Sequence, residues 1–141
     1  MYNMFKVLKM EINKNLDLLE KLKQTNLLPL AFLGDSVHTL FVREKMLYGG
    51  EGKMENYHTK ASCYCKASKQ AQVLKSLLPY LTDEEETIVR RGRNAKPKHS
   101  AKNSSSADYS LATAFEILIG YLYLKGDKER LEEVLELSIK D

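Results

Sequence analysis

Asp35 and Glu116 are the residues of this sequence best suited to chemistry, because each is the one acid in an otherwise apolar helical run. In Leu30-Ala31-Phe32-Leu33-Gly34-Asp35-Ser36-Val37, the residues Leu30, Leu33 and Val37, with Leu40 and Phe41 beyond, recur at three- and four-residue spacing and form one apolar face. Asp35 lies off that stripe among Ala31, Phe32, Val37 and a mostly neutral His38, where a carboxylate is costly unless a cation or hydrogen-bond donors compensate it. The second run, Leu111 to Leu122, carries Glu116 as its only charge. Ala112 and Gly120 flank Glu116 by one turn, and their small size lets another helix approach. A single such acid reads as structural, a cap or an arginine partner. Two of them, each ringed by small or apolar residues, point to a shared metal site.

That site type suits phosphodiester hydrolysis. The reaction needs an activated water and charge stabilisation on the attacking and leaving oxygens. Mg²⁺ does both, and it prefers a few carboxylates plus its own waters to a full protein cage. A polyanionic substrate also needs cations, and the charge is segregated although its net value is only +3. From Thr87 to Ala107 there are Arg90, Arg91, Arg93, Lys96, Lys98 and Lys102 and no acid until Asp108. Arg91, Arg93, Asn94, Lys96, Lys98 and Lys102 are the candidate contacts to such a polyanion. The cations face phosphates, and Asn94 and the nearby serines reach 2′-hydroxyls in a shallow minor groove. The bland alternative is an ordinary exposed loop. Lys60, Lys66, Lys69 and Lys75 form a second acid-free run, better read as a solvated helix surface. The carboxylates gather at Asp83–Glu86 and at Glu129, Glu132, Glu133 and Glu136, an acidic face opposite the basic one.

Other constellations are weaker. Cys63 and Cys65 are too close on a helix to bridge without strain, and a zinc site would need ligands beyond His58, so both read as reduced, partly buried thiols. Gly34-Asp35-Ser36 resembles a fragment of the Gly-Asp-Ser esterases, but those place the triplet after a strand and a histidine near the far end of the chain. His38, His58 and Glu51 have no assigned role.

The elements that must position these residues are all helical. Residues 1–25 read as an N-terminal helical extension with Phe5, Leu8, Ile12, Leu16, Leu19 and Leu22 on one face. A helix from near Pro29 to about Leu47 carries Asp35, with Asn26 as its cap, and Tyr48-Gly49-Gly50-Glu51-Gly52 is a turn. A segment from Met54 to Ala61 precedes a helix near Cys63 to Leu78, stopped by Pro79. Thr82-Asp83-Glu84-Glu85 is a capping box opening a short helix that ends around Arg91-Gly92. Residues 93–106 form a basic loop, Ser105 or Ser106 caps the Glu116 helix, and Asp127 caps the last one. With 141 residues and no alternating strand pattern, the expectation is one all-α domain. No run approaches the ~18 apolar residues of a membrane span and no leader pattern is visible, so cytoplasm is the default compartment.

Phe32-Leu33-Gly34-Asp35-Ser36-Val37 resembles the signature of the ribonuclease III family, and the run from Phe115 to Leu124 resembles that family's second acidic motif. Arg91-Gly92-Arg93-Asn94-Ala95-Lys96 between them is similar to its compact Mini-III branch, which has the nuclease domain alone. The resemblance implies a two-fold homodimer, with the Asp35 helix at the interface. It implies Mg²⁺-dependent cutting of both strands of duplex RNA to leave 5′-phosphates, with Mn²⁺ as a substitute, and maturation of large-subunit ribosomal RNA precursor. Phe32 and Phe41 are interface candidates, though ordinary core is the plainer reading of each. Longer family members carry acids where Leu28, Ala31 and Thr113 stand, and the Mini-III branch resembles the thinner set here. Two rivals remain open: a non-catalytic RNA-binding or ribosome-assembly module of the same fold, and a protein-interaction module using the Glu129–Glu136 face.

Overall fold

The computed structural model describes residues 12–50, 52–95 and 106–140. Seven α-helices lie within them: α1 (Ile12–Gln24), α2 (Leu28–Gly49), α3 (Met54–Cys65), α4 (Ala67–Leu77), α5 (Asp83–Asn94), α6 (Ser106–Lys125) and α7 (Lys128–Ser138). A single 3₁₀ turn, Leu78–Tyr80, links α4 to α5, and the described residues contain no strand. None of these helices is long and apolar enough to cross a membrane.

Helix α6 is the axis of the fold. It is apolar all round, as a helix enclosed by others must be, and it packs against α1, α2, α4, α5 and α7. Phe115, Ile117, Leu118, Ile119 and Tyr121 have no exposed surface, while Glu116 in their midst is half-buried. The caps follow the local chemistry. Leu27, not Asn26, stands at the N-cap of α2 and makes no side-chain bond there, while Asn26 Oδ1 one residue earlier accepts from the Leu28 N–H; Asp127 Oδ1 accepts from the Arg130 N–H. Thr82 and Glu85 form the reciprocal capping box.

Several boundaries differ from the sequence expectation. The break between α3 and α4 falls at Lys66, whose backbone is extended, not near Ser62. No glycine or proline marks it. Helix α5 runs through Gly92 to Asn94 because Gly92 is a packing position: a Cβ there would press on Ala114 and Ile117 of α6. Phe32 is not core but 83% exposed, and Leu40 is 49% exposed, whereas Phe41 is partly buried against the core. Helix α2 therefore has two apolar sides, and a count of three- and four-residue spacings cannot tell a core side from an outer one. Phe5, Leu8 and Ser105 lie outside the described residues.

Four residues of the acidic face, Glu84, Glu85, Glu133 and Glu136, are engaged in ion pairs, and Asp83, Glu86, Glu129 and Glu132 are exposed. Glu85 is buried, and the Arg130 guanidinium holds it through two bonds of 2.9 Å while also donating to the Tyr80 carbonyl and Glu133. Burial alone would push the Glu85 carboxyl up, but Arg130 and the Thr82 N–H outweigh it and hold the group below its usual range. Glu84 bridges Lys23 and Lys125, and Glu136 pairs with Lys45 at 2.8 Å.

His38 is the other buried polar anchor, with no exposed surface. Its Nδ1 accepts from Gln70 Nε2 at 3.1 Å, and its Nε2–H donates to Ser138 Oγ at 3.0 Å. The Ser138 hydroxyl in turn donates to the Leu135 carbonyl at 2.6 Å. Burial lowers the His38 pKa from 6.5 to about 4, against a small opposing pull from Asp35. The unfolded chain therefore takes up a proton that the fold refuses. The His38 contribution should be constant above pH 6.5 and be lost as the pH drops from 6.5 toward 4, by an amount on the order of 3 kcal/mol. The difference between the wild-type and His38→Gln thermal melts across that range checks it.

Candidate active site

The two acids converge because two glycines let their helices touch. A Cβ on Gly34 of α2 would overlap the Glu116 carbonyl of α6, and a Cβ on Gly120 of α6 would overlap the Leu30 carbonyl of α2. The helices thus meet backbone to backbone in antiparallel register, with Leu30 against Gly120 and Gly34 against Glu116. Asp35 follows Gly34, so its side chain leaves α2 at the point where Glu116 leaves α6. The two carboxyls are hydrogen-bonded to each other.

That contact requires a proton. Glu116 is the buried member; burial first, then the bond to Asp35 and its charge, push the Glu116 carboxyl up to about 8. Glu116 is therefore held in its protonated form at neutral pH, as an acid buried beside another acid must be. Asp35 itself is exposed, so the costly apolar setting expected for it belongs to Glu116 instead. Glu85 marks the contrast. A buried acid in a structural role faces an arginine, whereas Glu116 faces another acid, and only a proton or a cation relieves that pairing.

The donor set fits a hydrated divalent ion. Asp35 and Glu116 are two hard oxygen ligands opening to solvent on the Asp35 side, the complement Mg²⁺ takes when it keeps most of its waters. Among the described residues no group of three or more His, Cys, Asp or Glu forms a larger cage. Thr113, one of the positions where longer relatives were expected to be acidic, is buried and donates its hydroxyl to the Tyr109 carbonyl.

Cys65, at the end of α3, stands beside the pair, which spacing in the sequence did not reveal. Its half-buried thiol is hydrogen-bonded to Thr39, one turn beyond Asp35, and feels Asp35, Glu116 and Arg43. Burial, reinforced by the two acids, pushes this thiol up, so it stays protonated. Both cysteines are free, but only Cys65 is partly buried, whereas Cys63 is exposed.

The basic candidates divide. Arg93 and Asn94 are exposed at the end of α5, directly after Gly92, which seats that helix on Ala114 and Ile117 around Glu116. Arg91 is exposed but donates one guanidinium N–H to the Lys23 carbonyl at 2.6 Å, tying α5 to α1. Lys96, Lys98, Lys102 and Glu51 lie outside the described residues. His58 lines a recess with Arg43, Met46, Leu47, Met54, Tyr57 and Ala61, rather than bonding to either acid.

Comparison with known proteins gives a consistent picture. Residues 28–127 match the model of the Ribonuclease III domain. A Mini-ribonuclease 3 of Symbiobacterium thermophilum is 47% identical over 79% of this chain and 85% of its own length. One from Brevibacillus brevis is 49% identical over 79% of this chain and 84% of its own. A Fusobacterium nucleatum protein solved by X-ray crystallography superposes with a TM-score of 0.75 at 27% identity, over 82% of this chain and 92% of that one.

Proposed function

Since this chain belongs to the ribonuclease III family and is an endoribonuclease acting on double-stranded RNA, we propose that it cuts with a divalent ion held between Asp35 and Glu116. The observation that carries this reading is the backbone contact of Gly34 and Gly120, which brings the two acids together across α2 and α6. A hydrated Mg²⁺, or Mn²⁺ in its place, supplies positive charge to the attacking and leaving oxygens of the phosphodiester when bound. Glu116 from the buried side and Asp35 from the exposed side would hold that ion. Arg93 and Asn94, exposed at the end of α5 after the Gly92 contact with α6, hold the RNA backbone. Arg91, Lys96, Lys98 and Lys102 extend that contact.

The test is a long duplex RNA incubated with and without Mg²⁺, read by product length and end chemistry. Short duplexes with 5′-phosphates, formed only with Mg²⁺ or Mn²⁺, are expected. Tight duplex binding with no cutting under either metal would leave the non-catalytic RNA module standing. No observation favours the protein-interaction reading, because Glu133 and Glu136 already pair with Arg130 and Lys45. The family resemblance is the ground for placing the natural duplex in large-subunit ribosomal RNA precursor, and hence the reaction in the cytoplasm.

We also propose a two-fold homodimer across the outer side of α2, where Phe32 (83% exposed), Leu40 and Leu47 form an apolar stripe beside the recess at Met54 and Tyr57. A dimer sets one Asp35–Glu116 pair against each strand of a duplex. Phe32→Asp should sediment as a monomer and lose paired-strand cutting while its thermal stability stays within ~0.5 kcal/mol, as at other surface positions. A dimeric Phe32→Asp would place the interface elsewhere.

A further inference from the structure

Beside the acid pair the fold contains one polar assembly that the chemistry above does not use, the buried His38 with its partners. On α2, the residues Leu30, Gly34 and His38 follow one another at four-residue steps. Leu30 and Gly34 each lie on the α6 backbone. The third step places the His38 ring edge-on to the Phe115 ring, with centroids 5.2 Å apart and planes at 83°. His38 lies one turn from Asp35, and Phe115 is the neighbour of Glu116 in the chain. The other two sides of the ring are fixed by Gln70 of α4 and Ser138 of α7. Four helices therefore meet at this one side chain.

We propose that His38 is a positioning residue for cleavage, its bonds to Gln70 and Ser138 holding α2 in the rotation that presents Asp35 to Glu116. The proposal rests on the Asp35–Glu116 reading above. Asp35 is exposed, so the rotation of its helix decides where its carboxyl sits. A turn of about 20° would sweep a side-chain tip lying ~6 Å from the helix axis through roughly 2 Å. A displacement of about 1 Å at a reacting centre is worth roughly 10²-fold in rate. The glycine contacts set how closely α2 approaches α6, but they lie on one side of the helix and carry no directed bond. Two directed hydrogen bonds on opposite edges of one ring, to two different helices, resist rotation itself. A leucine would fill the same space without that restraint.

The experiment compares His38→Leu, His38→Gln and Ser138→Ala with the wild-type protein well below their melting temperatures. Cutting of duplex RNA is measured over a range of Mg²⁺, duplex affinity with Ca²⁺ in place of Mg²⁺, and Mn²⁺ binding without RNA by electron paramagnetic resonance. His38→Leu should lose about 10- to 100-fold in kcat, the range seen when groups supporting metal ligands are removed. Its KM and duplex affinity should be unchanged and its Mn²⁺ binding weakened. Ser138→Ala should move the same quantities less, and His38→Gln, which keeps a donor, should recover part of the loss.

A fall in melting temperature with wild-type kcat and Mn²⁺ binding would overturn the proposal, as would a loss confined to KM. If His38→Leu does not fold, Ser138→Ala decides alone: wild-type kcat and Mn²⁺ binding in that variant refute the restraint. Absence of cutting by the wild-type protein would instead count against the nuclease reading on which the proposal rests.

Discussion

Asp35→Asn and Glu116→Gln should each reduce cutting of duplex RNA by on the order of 10³-fold or more, with duplex affinity nearly intact. Each removes one of the two carboxyls that the described residues bring to the site and leaves the basic residues at the end of α5 and beyond it in place. The same variants should move stability in the opposite direction. Glu116 has a folded pKa of about 8 against 4.5 in the unfolded chain, so the fold holds a proton that the unfolded chain releases. That contribution is complete below pH 4.5 and is lost as pH rises through about 8. In EDTA, the wild-type melting temperature should therefore fall from pH 5 to pH 9 beyond what other groups explain, and Glu116→Gln should flatten that part of the curve. Added Mg²⁺ should restore the wild-type protein at high pH and do nothing for the variant. An inactive variant that is also destabilised in EDTA at pH 9 would mean that the pair is a structural contact and not a cation site.

The second large effect belongs to the glycines. Gly34→Ala puts a methyl group where the Glu116 carbonyl already stands, and Gly120→Ala does the same at the Leu30 carbonyl. Backbone of a neighbouring helix cannot swing aside as a side-chain tip can, so α2 and α6 must separate. Each change should cost about 3 kcal/mol or more, equivalent to roughly 10 °C in melting temperature for a chain of this size. Because the same contact brings the two acids together, whatever protein remains folded should cut poorly even at low temperature. Gly49 supplies the control. Nothing lies within 4 Å of a Cβ there, so Gly49→Ala should leave cutting unchanged and raise stability slightly, by about 0.5 kcal/mol. Equal effects at Gly34 and Gly49 would show that the helix contact is not the source.

The Asp35–Glu116 pairing was legible in the sequence because lone acids in apolar helices are costly, and Ala112 and Gly120 already signalled a close helix approach at Glu116. The matching role of Gly34 was present in the same motif but is invisible without knowing which residue faces it. Cys65 escaped notice for a different reason. Its place beside Thr39 depends on the chain turning at Lys66, where neither Gly nor Pro announces a break. Leu40 was misread because spacing marks a residue as apolar without saying whether it faces the core or the outside. Glu85 was legible as a cap, a local matter of three residues, but not as the partner of Arg130, which is 45 positions away. Local chemistry reads directly from the chain. Contacts between helices read only where a residue type is costly enough to demand one.

The central claim is that Asp35 and Glu116 grip a single divalent ion. Crystals grown with Mn²⁺ test it most directly, through the anomalous signal of the metal. The expected result is a peak within bonding distance of both carboxyls in the wild-type protein that vanishes in Asp35→Asn. A peak held by other residues, or acids still bonded to each other with Mn²⁺ bound elsewhere, would contradict the claim.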